Sequence, residues 1–377
     1  MDNPEYQICT RCVMDTSDPG IQFNEIGVCN LCTDFLQNRE KHNYQGNTSK
    51  NQFDSLVAQM KRDGQGKEYD CIVGLSGGID SSYVAYIAKQ NGLRILGVHL
   101  DNGWNSEEAV QNIKSIAGKL EIDYESYVLN WSEFKDIQLA FLKAAIPEAE
   151  TPTDIAIPAA THHFANKYGV KYVISGGNFA TEGILPKYWH YNAKDLTYFN
   201  AIRKKYATRK WSSFPTFGFR TEMYYKVVKR IKMIYLLNFI PYNKDEAMTL
   251  LKNELGWKYY GGKHYESKYT GFIQSYYLFE KFGIDYRRAT LASQVCTGIV
   301  KRDDALETLK VKPYSNEIVK EEKIYIAKKF GITVDELENI IQSPAKWYTD
   351  YPNDEKKLAF IYDTYRKIFK KDKLANF

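Results

Sequence analysis

The feature that most constrains the fold is a glycine-containing turn at residues 76–82, Ser-Gly-Gly-Ile-Asp-Ser-Ser. Residues 70–75 before it are mostly apolar and β-prone, as in a short buried strand, and residues 83–89 after it place their apolar side chains on one helical face. Adjacent glycines permit backbone conformations closed to other residues, and a helix start presents free N–H groups and a positive dipole end. The stretch therefore predicts a cradle for an anion such as phosphate.

The turn matches neither of the two commonest nucleotide-binding loops. It lacks the G-x-x-x-x-G-K-[ST] spacing of P-loop NTPases and the G-x-G-x-x-G spacing of dinucleotide-binding folds. Instead, S-G-G-x-D-S resembles the PP-loop of the ATP pyrophosphatases, a superfamily that includes GMP synthetase, asparagine synthetase and the tRNA-thiolating enzymes. The resemblance implies cleavage of ATP between its α and β phosphates and transfer of AMP to a substrate oxygen. The alternative is a serine- and glycine-rich turn that binds no ligand.

The composition indicates a globular protein with an ordinary core. The chain has 377 residues, of which 44% are hydrophobic, enough for two domains or one large domain with extensions. The net charge of +5 suits an anionic small substrate as well as RNA and does not separate them. The first residues lack the apolar core of a signal peptide, and the apolar run at residues 231–240 is too short to span a bilayer. We therefore expect a cytoplasmic protein without membrane contact.

Four of the six cysteines form two C-x-x-C pairs, Cys9 with Cys12 and Cys29 with Cys32. Two such turns supply four thiolates for a closed tetrahedral site, so the spacing predicts a structural zinc ribbon. The alternatives are two disulfides, which a reducing cytoplasm disfavours, or a redox pair, for which a thioredoxin-like context is lacking. An iron–sulfur cluster fits the same spacing.

Strand and helix patterns alternate through the first half of the chain. Further strands are predicted at residues 94–100, 124–129 and 171–175, with helices at 106–120, 131–145 and 154–168. This alternation predicts an α/β fold with a doubly wound parallel sheet, Rossmann-like and similar to the adenine nucleotide alpha-hydrolases. Beyond residue 187 the sequence becomes aromatic and basic, with a long helix predicted at 221–238 and more helices after it.

These patterns divide the chain into three predicted domains. A zinc-binding ribbon with four cysteine ligands occupies residues 1–48, a PP-loop ATP-binding domain residues 49–190, and a mainly helical substrate or partner domain residues 191–377.

Three polar or glycine-rich segments fall at the carboxyl edge of the predicted sheet, where such folds bind ligands: the glycine turn, residues 101–103 and residues 176–178. The PP-loop resemblance implies that adenine packs near the strand end at residues 98–101. The predicted nucleotide-binding residues are Ser76, Gly77, Gly78, Asp80, Ser81, Ser82, Val98, Asp101, Gly176 and Gly177. Asp80 is also a candidate Mg²⁺ ligand, with helix capping as its alternative role, and Glu182 is a second candidate.

The second half of the chain must stabilise the departing pyrophosphate with cations. Lys263 follows two glycines and is predicted to reach the phosphates; with Asp80 it is the candidate catalytic residue. Arg287 and Arg288 are a second candidate cationic pair, and His264 and Glu266 are candidate proton relays. The alternative role of each is a surface ion pair. Cys71 and Cys296 are interpreted as packing residues, Cys296 near the active site.

Three stretches together resemble the bacterial N-acetyl sugar amidotransferases of O-antigen and flagellar sugar biosynthesis: residues 9–15, 74–82 and 261–267. The resemblance extends to about residue 309. It implies that ATP activates the acetamido carbonyl of a UDP-linked N-acetyl sugar and that ammonia displaces AMP to leave an acetamidino group. It further implies ATP, Mg²⁺ and Zn²⁺ as cofactors and a separate glutaminase with a cyclase-like subunit as the ammonia source. An N-terminal-nucleophile glutaminase within this chain is excluded, because Asp2 stands where that type needs a cysteine.

Two other functions stay open. A tRNA-thiolating enzyme also joins cysteine knuckles to a PP-loop, and aromatic, basic stretches suit RNA; nucleic acid is nevertheless not expected, because neither Cys71 nor Cys296 has a paired spacing. The second open function is a non-catalytic scaffold that binds nucleotide and a partner. The sequence leaves homo-oligomerisation open.

Overall fold

A five-stranded parallel sheet forms the centre of the molecule in the computed structural model, which describes residues 6–42, 47–210, 212–260 and 266–369. The strands are β1 (Cys71–Gly74), β2 (Ile95–Asp101), β3 (Asp123–Val128), β4 (Tyr172–Ser175) and β5 (Lys232–Tyr235), in the spatial order β3-β2-β1-β4-β5. The order reverses at β1, so β1 and β4 flank the point at which such sheets leave a crevice for a ligand.

The helices follow the strands in the expected alternation. The described α-helices are α1 (Asn30–His42), α2 (Asn47–Asp63), α3 (Ile79–Gln90), α4 (Glu107–Leu120), α5 (Trp131–Lys143), α6 (Thr151–Lys167), α7 (Phe179–Glu182), α8 (Leu196–Tyr206), α9 (Phe219–Met223), α10 (Lys244–Leu255), α11 (Lys268–Phe272), α12 (Leu278–Phe282), α13 (Arg287–Thr297), α14 (Arg302–Lys310), α15 (Asn316–Phe330), α16 (Val334–Gln342) and α17 (Glu355–Phe369). The prediction of a doubly wound parallel α/β fold with clustered N-terminal cysteines and a helical C-terminal region is confirmed.

The buried strands separate two apolar layers. Cys71 and Val73 of β1 join the core under α2, α3, α4 and α10, whereas Ile72 between them joins the core under α6. Successive side chains of a strand point to opposite faces, so an apolar run such as residues 71–73 is stable only when both faces are covered. The sequence of β1 thus dictates helices on both sides.

The helical segment from Lys268 to Phe282 has a locally altered winding that concerns the cavity described below. Residues Lys268–Phe272 and Leu278–Phe282 are α-helical, and the five residues between them, Ile273–Tyr277, form a π-helical turn. A π-turn inserts an extra residue per turn and shifts the following side chains around the helix axis. Ile273 and Gln274 of this turn both face the cavity.

The long basic helix predicted at residues 221–238 is wrong. The helix from Phe219 gives way to a π-helical turn, Tyr224–Val228, and the chain then reverses at Arg230 with φ 56° before entering β5. β5 pairs in parallel with β4, Ile174 opposite Ile234, so a non-local strand partner overrides the local helical pattern. The sheet therefore extends past residue 190, where the sequence had placed a domain boundary.

The helices of the described residues include none with the length and apolarity needed to cross a bilayer.

The C-terminal helix α17 is tied to the rest of the chain through a buried carboxylate. The side chain of Glu222 is 4% exposed and pairs with Lys194 at 2.7 Å and Lys226 at 2.6 Å, and it accepts a hydrogen bond from the Tyr362 hydroxyl of α17 at 2.6 Å. Burial raises the pKa of Glu222, but the two lysines outweigh burial and hold its pKa at about 2.

We predict that Glu222→Gln destabilises the fold by about 2 kcal/mol, because it leaves two lysines without their buried counter-charge. Urea unfolding at neutral pH measures the loss. The effect should shrink as the pH falls from the ordinary carboxyl pKa of 4.5 towards about 2, since protonation of Glu222 then removes the same charge in the parent chain.

A matched control is Glu307→Gln. Glu307 pairs with Lys310, but both side chains are 68% exposed, so we expect a loss below about 0.5 kcal/mol. Equal losses for the two variants would contradict the role given to Glu222.

Candidate active site and cysteine centre

A cavity of about 620 Å³ opens at the carboxyl ends of β1, β2, β4 and β5. Its wall includes residues 74–76 after β1, residues 98–100 of β2, residues 173–177 around the end of β4, and Met233 and Tyr235 of β5. Side chains from α6, α11, the π-turn and α13 complete it. The cavity thus occupies the crevice at the reversal of strand order, where the sequence places the nucleotide.

The glycine turn is shaped by its contact with α4. Gly77 has φ +80°, and a Cβ atom there would lie 2.3 Å from the backbone oxygen of Ala109. The carbonyl oxygen of Gly77 accepts hydrogen bonds from the Trp257 indole N–H at 3.0 Å and from Asn112 Nδ2 at 3.3 Å. Only glycine fits both the left-handed backbone and this packing. The packing of the turn itself therefore requires glycine at position 77, whether or not the turn binds a ligand.

The serine hydroxyls of the turn are partly used within the protein. Ser82 is buried and donates to the backbone oxygen of Gly78 at 2.6 Å, and Ser81 donates to the same oxygen at 3.1 Å. Ser76 is exposed to the cavity, and its Oγ lies 3.1 Å from Ser81 Oγ and accepts the Gly78 N–H at 3.2 Å. Ser76 and Ser81 face the cavity, whereas Ser82 holds the start of α3.

Asp80 lies in the first turn of α3 and lines the cavity. Its Oδ1 accepts a hydrogen bond from the Tyr242 hydroxyl, and burial together with the Asp80 charge raises the pKa of Tyr242. Glu182 of α7 lines the same cavity and accepts the backbone N–H of Asn178 at 3.4 Å. Both carboxylates predicted as Mg²⁺ ligands thus reach one space, and hard oxygen donors of this kind suit Mg²⁺.

The other predicted nucleotide contacts divide into two groups. Val98, Gly176 and Gly177 line the cavity. A Cβ atom on Gly176 would lie 2.8 Å from the Ser81 nitrogen, so glycine there lets the end of β4 approach the start of α3. Asp101 instead accepts the Gly103 N–H at 3.0 Å and shapes the turn after β2.

His99 is a cavity residue that the sequence analysis missed. Its Nδ1 lies 2.9 Å from the Leu75 carbonyl oxygen, and its Nε2 lies 3.1 Å from Asn105 Nδ2. Because a carbonyl only accepts and an amide N–H₂ only donates, the ring is neutral with its proton on Nδ1, in keeping with a pKa lowered by burial. The sequence signal that could have identified His99 is a histidine within a largely apolar strand.

Two side chains cover the glycine turn next to the open cavity. A Cβ atom on Gly78 would lie 3.2 Å from Glu266 Oε1 and 3.2 Å from the Tyr260 hydroxyl. The Ile79 N–H, at the start of α3, donates to the Tyr260 hydroxyl. Polar oxygen atoms thus occupy part of the anion cradle that the sequence predicts at this helix start.

Neither of the two predicted arginines of the second half lines the cavity. Lys263 and His264 lie outside the described residues. Arg287 is paired with Asp285 at 2.6 Å, and Arg288 with Asp15 at 3.0 Å. Both arginines thus form ion pairs, the alternative role given to them, although the Arg288–Asp15 pair is largely buried and not on the surface.

The four N-terminal cysteines converge on one point. All four are buried, and their Sγ atoms lie within 4.8 Å of one another. Cys9 Sγ and Cys32 Sγ are 3.7 Å apart, and Cys12 Sγ and Cys29 Sγ are 3.8 Å apart. Backbone N–H groups point at the sulfurs, as from Met14 to Cys12 Sγ at 3.3 Å, and would stabilise thiolate charge.

This arrangement fits a single tetrahedral ion. Four sulfurs at about 2.3 Å from one zinc ion lie about 3.8 Å from each other. The Cys9–Cys32 and Cys12–Cys29 separations agree with that value, and all four sulfurs lie within 4.8 Å of one another. An iron–sulfur cluster spreads its thiolates around several metal atoms and so needs wider separations. Four thiolates would fill a tetrahedral coordination sphere, which is the donor set of structural zinc sites.

The cysteine centre is held by residues of the C-terminal helices. Arg302 donates to the backbone oxygens of Cys12 at 3.0 Å and Cys9 at 2.8 Å, and Arg288 donates to that of Val13 at 2.7 Å. Cys296 Sγ lies 3.6 Å from Cys32 Sγ. Cys296 is thus a packing residue, as predicted, but beside the cysteine centre and not at the active-site cavity.

We predict that Gly77→Ala abolishes most ATP binding, because the methyl group would collide with the backbone of α4 and displace the turn. Isothermal titration with ATP and Mg²⁺ measures the loss, which we expect to exceed tenfold. Gly66→Ala is the matched control: Gly66 has φ +73° but nothing within 4 Å of a Cβ atom, so only the backbone cost of about 1–2 kcal/mol applies. Normal ATP binding by Gly77→Ala would show that the turn tolerates displacement.

We predict one divalent ion per chain and its loss in Cys29→Ser, because a serine hydroxyl stays protonated where a thiolate is needed. Elemental analysis of the purified chain measures the ion. Cys296→Ala is the control and should keep the ion, since Cys296 lies outside the cluster of four. Iron together with acid-labile sulfide in the parent chain would contradict the single-ion interpretation.

Comparison with known proteins assigns the two halves of the chain separately. Residues 51–168 match the NAD synthase family, and residues 266–368 match the family described as LPS biosynthesis protein WbpG-like, C-terminal domain. The first match covers the glycine turn and most of the sheet, and the second begins at Glu266.

Curated relatives are similar over part of their length. The chain is 26% identical over 206 residues to a tRNA-specific 2-thiouridylase, MnmA 1, of a Thermoanaerobacter species, covering 48% of this chain and 50% of the relative. It is 36% identical over 88 residues to the 7-cyano-7-deazaguanine synthase of a Nitratiruptor species, covering 23% of this chain and 36% of the relative. The chain thus spans about half or less of the curated relatives it matches.

Among solved structures, the U34-tRNA thiolase NcsA from Methanococcus maripaludis with its [4Fe-4S] cluster covers 76% of this chain and 84% of its own, with a TM-score of 0.36 and 14% identity. A likeness of that size supports no functional conclusion. Taken with the glycine turn at the crevice of the sheet, the family matches support the PP-loop ATP pyrophosphatase superfamily for residues 51–168 and a C-terminal domain of the WbpG-like lipopolysaccharide biosynthesis type for residues 266–368.

Proposed function

We propose that the protein is an ATP-dependent amidotransferase acting on a nucleotide-linked N-acetyl sugar. ATP transfers AMP to the acetamido oxygen with release of pyrophosphate, and ammonia then displaces AMP to leave an acetamidino group. Activation is needed because an amide oxygen is a poor leaving group, whereas AMP is a good one. We propose a separate glutaminase as the source of the ammonia.

The observation that carries this proposal is the shared wall of the cavity. Both the central sheet and the region of the WbpG-like match line the cavity. The region of the WbpG-like match supplies nine lining residues: Glu266, Ser267, Thr270, Ile273, Gln274, Leu278, Tyr286, Ala289 and Thr290. The part of the chain with the sugar-biosynthesis signature thus builds one side of the candidate ATP site. This supports a sugar substrate placed against the activated phosphate.

The charge of the cavity also supports amidine formation. Six carboxylates line it, and no Lys or Arg does among the described residues: Asp80, Glu148, Glu150, Asp154, Glu182 and Glu266. Amidine formation converts a neutral amide into a cation, and carboxylates stabilise positive charge that develops during a reaction.

Individual residues have separable roles in this proposal. Ser76, Ser81 and the first turn of α3 contact the phosphates, and Val98 and Ile157 of the cavity wall pack against adenine. Asp80 and Glu182 would hold Mg²⁺, which neutralises phosphate charge when bound. Zinc at the cysteine centre has a structural role only.

A tRNA-thiolating activity is the second candidate, favoured by the similarity to the 2-thiouridylase relatives. That similarity covers half of the relative's length or less. Among the described residues that line the cavity there is no cysteine, since Cys71 lies in the core of β1 and Cys296 at the cysteine centre. A thiolating enzyme needs a reactive sulfur at the activated base.

The experiment is incubation of the purified chain with ATP, Mg²⁺, ammonium and a panel of UDP-linked mono- and diacetamido sugars. We expect AMP and pyrophosphate in equal amounts and a sugar whose mass reflects exchange of an oxygen for an NH group. Asp80→Asn should lose activity by about 100-fold or more if Asp80 contributes to charge neutralisation of the phosphates.

A parallel incubation replaces the sugar and ammonium with bulk tRNA and a sulfur donor. AMP release with tRNA alone would overturn the proposal in favour of thiolation. ATP binding without AMP release from either substrate would favour the scaffold hypothesis.

A further inference from the structure

We propose that Glu148 is the general base that receives ammonium and removes its proton for the amidotransfer step. The inference rests on the proposed function and identifies a site for the nitrogen donor within the same cavity. It starts from the turn between α5 and α6, where Pro147, Glu148 and Glu150 all line the cavity wall.

Glu148 is a buried carboxylate with an unused oxygen. The residue is 3% exposed, lines the cavity, and its Oε1 has no hydrogen-bond partner among the described residues. Its Oε2 accepts a single side-chain bond, from the Tyr198 hydroxyl at 3.3 Å. A buried polar atom without a partner costs free energy, so its presence at a cavity wall points to a ligand that completes its hydrogen bonding.

The surroundings of Glu148 leave it basic enough for this task. The titratable groups that face it are the neutral phenols of Tyr198, Tyr277 and Tyr348, with no cation among the described side chains that act on it. The backbone N–H groups of Glu148 itself and of Tyr191 lower its pKa, but burial outweighs them. Burial raises the pKa of Glu148 to about 7. A carboxylate with a pKa near the working pH is suited to accept a proton and release it again.

Neighbouring charges favour a cationic ligand at this wall. Glu150 and Asp154, at the start of α6, line the cavity beside Glu148, and Gln274 Nε2 from the π-turn donates to Glu150 Oε2 at 3.2 Å. In addition, the Trp189 indole N–H is buried at the cavity wall without a partner among the described residues. The carboxylates attract ammonium, and the indole N–H offers a donor to an oxygen of the sugar.

The chemical step balances without further reactants. Ammonium gives one proton to the Glu148 carboxylate and becomes ammonia. The ammonia lone pair forms the C–N bond to the adenylated acetamido carbon, the C–O bond to AMP breaks, and its electron pair leaves with AMP. Adenylation of the acetamido oxygen has already released the amide N–H proton to water and left a neutral imidate, so the sugar nitrogen takes up one proton of the attacking nitrogen. The product is an amidinium cation, and protonated Glu148 releases its proton to water.

The test compares Glu148→Gln with the parent chain in two assays. The first is sugar-dependent exchange of labelled pyrophosphate into ATP without ammonium, which reports adenylation and should be unchanged. The second is amidine formation with ammonium, which should fall by about 100-fold. The parent rate should show a break as the pH falls through about 7, because Glu148 becomes protonated. The variant should show no such break and should instead follow the fraction of free ammonia, which falls steadily with pH.

Hydroxylamine separates a chemical role from a structural one. It is largely unprotonated at neutral pH and needs no base before it attacks, so it should restore turnover of Glu148→Gln to near the parent rate. Glu307→Gln, on the exposed surface of α14, is the control and should behave as the parent chain in every assay. Failure of hydroxylamine to restore turnover, with pyrophosphate exchange intact, would overturn the assignment of Glu148.

The outcomes also separate this inference from the proposed function. If the parent chain forms no amidine with any sugar, the proposed function fails. If the parent forms amidine and Glu148→Gln does so equally fast, only the assignment of Glu148 fails. If pyrophosphate exchange is lost as well, Glu148 serves the adenylation step or the fold, and the assignment again fails.

Discussion

The contact between the glycine turn and α4 is the constraint on which the candidate site depends. Gly77 packs against the backbone of Ala109, while Trp257 and Asn112 bind its carbonyl oxygen. These contacts come from α4 and from the segment after α10, so the turn is fixed before any ligand arrives. A preorganised turn costs less to bind phosphate, because its backbone does not have to be ordered at that moment.

The cysteine centre and the cavity are mechanically connected through α13. Arg288 of α13 donates a hydrogen bond to the backbone oxygen of Val13, next to Cys12. Ala289 and Thr290 of the same helix line the cavity. Ser293 Oγ accepts the Ile184 N–H beside α7 at 2.9 Å. α7 in turn carries Glu182. An ion bound by the four cysteines would therefore stabilise one wall of the cavity from a distance.

Much of the fold was predictable because its signals are local. The apolar strand before Ser76, the two glycines after it and the C-x-x-C pairs each determine structure through neighbouring residues. β5 was missed because its four residues are a strand only when paired with β4. The contribution of residues 266 onward to the cavity wall could not be predicted either, because a periodic sequence pattern does not show which helix packs against the sheet. Glu148 had no signal beyond a lone carboxylate after Pro147; its role follows from burial, which only the packed structure reveals.

The oxygen atoms of Tyr260 and Glu266 stand where a triphosphate would approach Gly78 and the first N–H of α3. A negatively charged nucleotide repels the Glu266 carboxylate, so the two compete for the same helix start. Glu266 is also bound through its backbone oxygen to the Ser106 N–H at 2.8 Å and directly precedes Ser267, which caps α11. A nucleotide bound at this helix start would therefore have to displace the Glu266 side chain, and displacement of Glu266 would move the segment that leads into α11, whose Thr270 also lines the cavity.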